Sequence, residues 1–349
     1  MLPEARLVPM FSLAEKSLYV RSLDLWIDSM RSRERCYVSH GHADHAREHT
    51  TVVTSVNNAK VCRLRFARRA ARSKQITLLE GSPVRPPCNF EEHAFEEPWT
   101  IGDHRLTLFS AGHVLGSSQL MIESEAGSFV YTGDFTLDPS FTAEAPQVKR
   151  CDVLLMECTY GRPHYTFPPR AQIAAEMVDF ARCAIESGAV PVFFAYSLGK
   201  AQEAVAILGR AGVAVTTHGA IYEMTKVYEE AGVMMPPYRK YDADTFDPSH
   251  ALVWPPSGKT LPKALKGRPI QTAMLTGWAL DRGAMWRYGA HRGFPLSDHA
   301  DYPSLLRYIE LAQPKKVLLN HGWRDFVFRL RALGIDAEYL EEHSQLTLF

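Results

Sequence analysis

The sequence predicts an α/β protein in which one chain builds two units, the second inserted into the first. Three observations carry that expectation. Five short apolar runs each have the length of a buried strand, and each stops at a residue able to bind metal or move protons. Residues 170 to about 277 change to alternating helix and strand, the order of a parallel sheet. After Ser297-Asp298-His299 the chain returns to a helix and one more strand, so the last ~60 residues complete the first unit.

The five runs come first. Residues 36–38 lead into Ser39-His40, 106–109 into Ser110-Ala111-Gly112-His113, 128–132 into Gly133-Asp134, 153–156 into Glu157, and 316–320 into His321. Strand ends converge at one edge of a sheet, which brings residues distant in sequence into one crevice. In the inserted part, a helix with Ile173, Met177, Phe180 and Ala184 on its apolar side stops at Gly188, and 190–195 reads as a strand. A helix over 200–208, a strand over 213–216 and a helix from about 221 to 230 follow. Residues 236–262, rich in proline and poorly periodic, read as loop, and 270–275 as strand. A helix over 303–311 precedes the last of the five runs.

Composition bounds the function. With 46% hydrophobic and 22% charged residues in 349, the chain has the make-up of a folded globular protein with one large core or two. It contains no run of ~18 apolar residues, and Met1-Leu2-Pro3-Glu4-Ala5-Arg6 lacks the basic-then-apolar pattern of a secretory signal. The expectation is a cytoplasmic protein with no membrane partner. Six scattered cysteines without C-x-x-C spacing predict reduced thiols, with neither a disulfide framework nor a thiolate metal knuckle. The 39 basic and 39 acidic residues cancel, so any polyanionic partner must be held by a local patch.

The chemistry concentrates in His40-Gly41-His42-Ala43-Asp44-His45. Three imidazoles and a carboxylate within six residues, just past a strand, suit borderline divalent ions such as zinc; the alternative is a solvated histidine-rich turn. His113, Asp134 and His321 stand at strand ends beside Gly112, Gly133 and Gly322, where the backbone can turn sharply or pack closely. A carboxylate between two cations bridges them, and two metals ~3.5–4 Å apart activate a shared water and neutralise a phosphate.

In this order the motifs resemble the metallo-β-lactamase superfamily and, within it, the β-CASP nuclease branch, over nearly the whole chain. The hydrolase signature is the His40-to-His45 block, His113 in Ala111-Gly112-His113-Val114 and Asp134 in Thr132-Gly133-Asp134-Phe135. The branch signature is Glu157-Cys158-Thr159-Tyr160-Gly161, Ser197-Leu198-Gly199-Lys200-Ala201-Gln202-Glu203, Ser297-Asp298-His299-Ala300-Asp301 and Asn320-His321-Gly322. The resemblance implies an αββα sandwich with an inserted β-CASP parallel α/β domain, residues 1–165 and 294–349 forming the first and 166–293 the second. It implies two divalent ions, zinc first and manganese as the alternative. His40, His42 and His113 would hold one, Asp44, His45 and His321 the other, with Asp134 bridging. Asp28 resembles the early aspartate that buttresses the ligand loop; otherwise it is a turn or cap residue. His299 resembles the histidine that protonates the leaving oxygen, with Glu157 orienting it, and Asp44 and Asp134 complete the catalytic set. Cys158 departs from the serine that many relatives carry there.

For substrate, Arg65, Arg68, Arg69 and Arg72 recur at i, i+3, i+4 and i+7 in a stretch free of acidic residues. That stripe suits a phosphate backbone, or simply forms a solvated helix face. Ser197 and Lys200, between a strand and a helix start, suit a phosphate, or serve as ordinary capping. Ser257-Gly258-Lys259-Thr260 is rejected as a nucleotide loop, because the required first glycine would fall at Val253. The resemblance is strongest to compact bacterial DNA-ligase-associated exonucleases, which implies trimming of DNA ends in repair, with a ligase or helicase in the same pathway. RNA stays open, because mRNA 3′-end processing factors are also similar and the branch carries histidine at the position of His321 in its RNA-cleaving lineages. Hydrolysis of a small ester or thioester is disfavoured by the inserted unit, and a non-catalytic role by the completeness of the ligand set.

Overall fold

The computed structural model describes residues 11–14, 17–77, 88–256 and 261–340. The rejected segment at 257–260 lies outside them. The chain opens with β1 (Phe11–Ala14), β2 (Ser17–Val20) and β3 (Leu25–Ile27), paired antiparallel, and continues with β4 (Arg35–Tyr37), β5 (Thr51–Ser55) and β6 (Asn89–His93), paired parallel. Helix α1 (Val56–Thr77) crosses from β5 to β6. A second sheet begins as the antiparallel meander β7 (Trp99–Ile101), β8 (His104–Ser110), β9 (Ser118–Ser124) and β10 (Gly127–Tyr131), and adds β11 (Val153–Cys158) parallel to β10.

The chain then leaves for a third sheet. Helix α2 (Arg170–Glu186), β12 (Val190–Phe194), α3 (Lys200–Arg210), β13 (Val215–Thr217), α4 (Gly219–Glu230), β14 (Tyr238–Lys240), β15 (Ala251–Trp254), β16 (Ile270–Leu275), α5 (Ala284–Tyr288) and β17 (Arg292–Phe294) follow in turn. All pairs in this sheet are parallel, in the order β14-β13-β15-β12-β16-β17. Helix α6 (Tyr302–Ala312), β18 (Lys316–Gly322), α7 (Phe326–Ala332) and β19 (Ala337–Tyr339) return to the second sheet, where β18 pairs parallel with β11.

The first two sheets face each other across Leu25, Ile27, Tyr37 and Val53 on one side and Leu108, Leu120, Phe129 and Leu155 on the other. Helix α1 covers the outer face of the first sheet through Cys62 and Phe66, and α6 and α7 cover that of the second through Leu305, Tyr308, Phe326 and Leu330. The result is an αββα sandwich, as expected, plus a third α/β layer. Every residue of β11 is buried, because a parallel strand with a covered sheet on both faces has no solvent side.

The expectation of loop over 236–262 is wrong in part. It contains β15, which sits between β13 and β12 at the centre of the third sheet, and the edge strand β14. Ala251-Leu252-Val253-Trp254 is buried throughout, so it shows no alternation, and its four residues are hidden among prolines. A proline follows directly at Pro255, where a strand must lose its ladder donor.

Candidate metal centre

The loop after β4 brings His40, His42 and His45 together, the loop after β8 adds His113, and the turn after β10 adds Asp134. Ligand atoms of His40, His42 and His113 lie within 4.8 Å of one another, as do those of His40, His45 and Asp134, and those of His113, Asp134 and His299. Asp134 Oδ2 is the common point, 3.4 Å from His40 Nε2, 3.5 Å from His45 Nε2 and 3.9 Å from His113 Nε2.

The hydrogen bonds fix which nitrogen of each ring carries the outward-facing proton. Ser39 Oγ gives its proton to Asp28, so it accepts from His40 Nδ1 at 3.0 Å. Main-chain carbonyls only accept, so His42 Nε2 donates to Leu198 O (3.3 Å) and His113 Nδ1 to Asp298 O (2.7 Å). His45 Nδ1 donates to Asp28 Oδ2 at 2.8 Å. His40, His42 and His113 therefore each turn an unprotonated nitrogen inward, while His45 directs Nε2 toward Asp134. His40 Nε2 is buried with no partner, and His42 Nδ1 and His113 Nε2 stand 2.9 Å apart, lone pair facing lone pair. Such an arrangement is unfavourable unless a cation lies between the lone pairs, and the donor set suits a borderline divalent ion.

Electrostatics agree. Burial, reinforced by the charge of His45, holds His40 well below the ordinary imidazole range, and burial does the same for His113; it takes His42 down to about 4. These three are neutral at pH 7. Burial opposes charge on His45 too, but Asp134 and Asp28 outweigh it and raise the ring to about 10. Burial pushes Asp134 up to about 7. The corner thus holds carboxylates that draw positive charge inward.

Asp28 takes no part in the ligand groups. It accepts from the Ser39 main chain (2.7 Å) and hydroxyl, from His45 and from Tyr131 (2.8 Å), locking the loop that carries the histidines. Asp44 lies exposed at the rim, and His321 sits near the end of β18 with its ring centroid 5.1 Å from that of His45; neither joins a ligand group among the described residues. His321 adopts a left-handed backbone (φ 46°), followed by Gly322 (φ 143°), where a Cβ would come 2.0 Å from Cys158 O. Only glycine allows β18 to close on β11 there.

Beside the cluster, His299 Nδ1 donates to Glu157 (2.9 and 3.0 Å), and the His299 ring centroid is 4.7 Å from that of His113. Glu157 is buried at the end of β11 and also accepts from Phe135 N (2.9 Å) and Thr159 Oγ1. Burial disfavours the His299 cation, but Glu157 and Asp134 raise the ring to about 9.

The expected phosphate-binding residues fare differently. Arg65 is half-buried on α1 and within electrostatic reach of Asp44, and burial lowers its pKa. Arg68 donates to Ala220 O (3.1 Å), tying α1 to α4, and Arg69 is exposed. Arg72 falls on α1 with its side chain outside the described part of the molecule. Lys200 is buried and paired with Asp298, and Ser197 lends its carbonyl to Gln202 (3.3 Å), while Gln202 also accepts from Gly199 N (2.9 Å). This is the capping alternative. Sequence reasoning passed over Ser39, Tyr131, Asp298 and Glu203, although Asp298 and Glu203 stand inside quoted motifs; pairing of buried polar groups has no linear signal.

With this geometry in view, comparison with known proteins is decisive. The beta-lactamase superfamily domain matches residues 30–218, more than half of the chain, and the Zn-dependent metallo-hydrolase RNA specificity domain matches residues 292–342. The chain belongs to the metallo-β-lactamase superfamily, in its β-CASP nuclease family. This β-CASP chain is 38% identical over 333 residues to a "Probable DNA ligase" of Opitutus terrae, covering 95% of itself but 31% of that protein. It is 27% identical to an "RNase J-like protein" of Methanocaldococcus jannaschii over 66% of either chain. The chain thus spans about a third of the first relative and just under two thirds of the second. In fold it is similar to a crystal structure of a protein of unknown function from Enterococcus faecalis V583, with a TM-score of 0.61 at 14% identity, covering 91% of this chain and 81% of that one. Among the described residues no helix is long and apolar enough to cross a membrane.

Proposed function

We propose that this β-CASP chain is a metal-dependent phosphodiesterase that trims nucleic-acid ends, with DNA as the favoured substrate and end repair as its setting. The observation that carries the reading is the His299–Glu157 pair held against the His113 ring of the histidine cluster. A two-metal hydrolase of any ester needs the cluster; a leaving alkoxide also needs a positioned acid.

In this reading His40, His42 and His113 would hold one divalent ion, and His45, Asp44 and His321 the second, with Asp134 shared by both. The ions, zinc or manganese, supply Lewis acidity and an activated water. The chain's own residues do the rest. Asp28 and Ser39 keep His45 and His40 in the ligating tautomer. Glu157 holds His299 by Nδ1, so Nε2 carries the proton delivered to the leaving oxygen. Sheet membership supports a sandwich domain of residues 1–165 and 294–349 and a β-CASP domain of 166–293, whose loop before α3 borders the cluster at Leu198.

DNA is favoured by the relative named as a probable DNA ligase, matched over nearly the whole chain, and that name also supports a ligase as a working partner. RNA is the second reading, favoured by the match of residues 292–342 to an RNA specificity domain. End-labelled single- and double-stranded DNA and RNA, digested side by side with zinc or manganese, decide between them. Laddered shortening of DNA ends is expected. Cleavage confined to RNA would replace the first reading by the second, and hydrolysis of neither polymer would sink both.

A further inference from the structure

The first turn of α3 carries three buried polar side chains, Lys200, Gln202 and Glu203, a density that ordinary helix capping does not require. Two of them reach the sandwich. Glu203 accepts from Phe141 N (2.8 Å), Thr142 Oγ1 (2.9 Å) and Ser140 Oγ in the loop after β10, and from Arg170 (3.2 Å), which also donates to Ser297 O (2.8 Å). Lys200 pairs with Asp298 Oδ1. Both partners of this pair are over 90% buried, so the carboxylate has no water to replace the ammonium.

Asp298 also touches the metal centre through its main chain, because its carbonyl is the acceptor that fixes His113 Nδ1 as the protonated nitrogen. Two residues before Lys200, Leu198 O does the same for His42 Nε2. Gly199 between them has φ 86°, and a Cβ there would come 2.6 Å from Val114 Cγ1 and 3.1 Å from Asp298 Oδ2, so glycine lets this loop press against the His113 loop and Asp298. Two segments that touch at Gly199, the loop after β12 and the stretch after β17, thus set the tautomers of two of the three imidazoles proposed to hold the first ion.

We propose that Lys200 is a positioning residue of the metal centre and not a phosphate ligand: it anchors Asp298, whose carbonyl keeps His113 Nε2 bare and aimed at the ion. This rests on the metal-centre reading above, and its test is read without turnover. Zinc affinity of the full chain is measured by competition with a chromophoric chelator for wild type, Lys200→Met, Lys200→Arg and Asp298→Asn, with folding checked by circular dichroism. Loss of a partner that orients a metal-binding histidine costs roughly 10–100-fold in metal affinity. Lys200→Met and Asp298→Asn are expected to lose that much, and Lys200→Arg to recover most of it.

Binding of a single-stranded oligonucleotide to the chelator-treated protein supplies the contrast. The slope of log affinity against log salt is expected to stay at the wild-type value in Lys200→Met. Wild-type zinc affinity in folded Lys200→Met, with the slope reduced by about 0.7 as when one phosphate goes unneutralised, overturns the proposal. If Lys200→Met fails to fold, Asp298→Asn decides alone, and wild-type affinity there has the same force. A wild-type chain that takes up no zinc or manganese removes the parent reading as well; a chain that binds metal but cleaves no polymer removes only the nuclease reading.

Discussion

At the scale of single residues, the centre works by assigning each imidazole a fixed outward acceptor. Ser39 serves His40, Leu198 O serves His42, Asp298 O serves His113, Asp28 serves His45 and Glu157 serves His299. His40, His42 and His113 thereby turn a lone pair inward, His45 is held as a cation between Asp28 and Asp134, and His299 stands next to the cluster with a carboxylate behind it. His299→Ala should therefore keep the metal stoichiometry of the wild type while losing about 10²–10⁴-fold in turnover, the usual worth of a general acid. Glu157→Gln should lose less alone and nothing further in the His299→Ala background, since it acts through that ring. Full activity in folded His299→Ala removes the assignment.

At the scale of elements, the site lies where strands end. The ends of β4, β8, β10, β11 and β18 were legible because each is an apolar run broken by a histidine, aspartate or glutamate, and strands occupy all five places. What escaped was of two kinds. Strand β15 has no periodic signature because both of its faces are covered, and the role of α3's first turn depends on Asp298, nearly a hundred residues away in sequence. Helix α1 shows the limit of periodicity differently. Its arginines share one stripe by spacing, yet Arg68 is committed to the Ala220 carbonyl, Arg65 is half-buried and Arg69 faces solvent. Substituting Arg65 and Arg69 together by alanine should lower the salt slope of oligonucleotide binding by about 0.7–0.9 for each phosphate they neutralise. An unchanged slope returns the stripe to a solvated helix face.

For the molecule as a whole, the proposed ligands come from the β4, β8 and β10 loops and from β18, so in that reading a bound metal would cross-link the first two sheets. Chelation should lower the melting temperature, and zinc restore it, by the equivalent of about 2.7 kcal/mol at a hundredfold excess over Kd. Identical melting curves with and without chelator would falsify a metal that binds only the folded state. The pairing of β11 with β18 also bears on how the chain reaches this state. Cys158 meets Asn320 across 162 positions, and the whole third sheet is made in between. During synthesis β11 therefore emerges with one edge open and waits for a partner that is made only after the whole third sheet. Such an edge invites wrong pairing. Early closure of the third sheet brings the ends of that long excursion near each other, and the entropy of joining β18 to β11 then grows only slowly with its length. The inserted unit, whose loop before α3 borders the histidine cluster, also serves the nascent chain as the clasp that delivers β18 to β11.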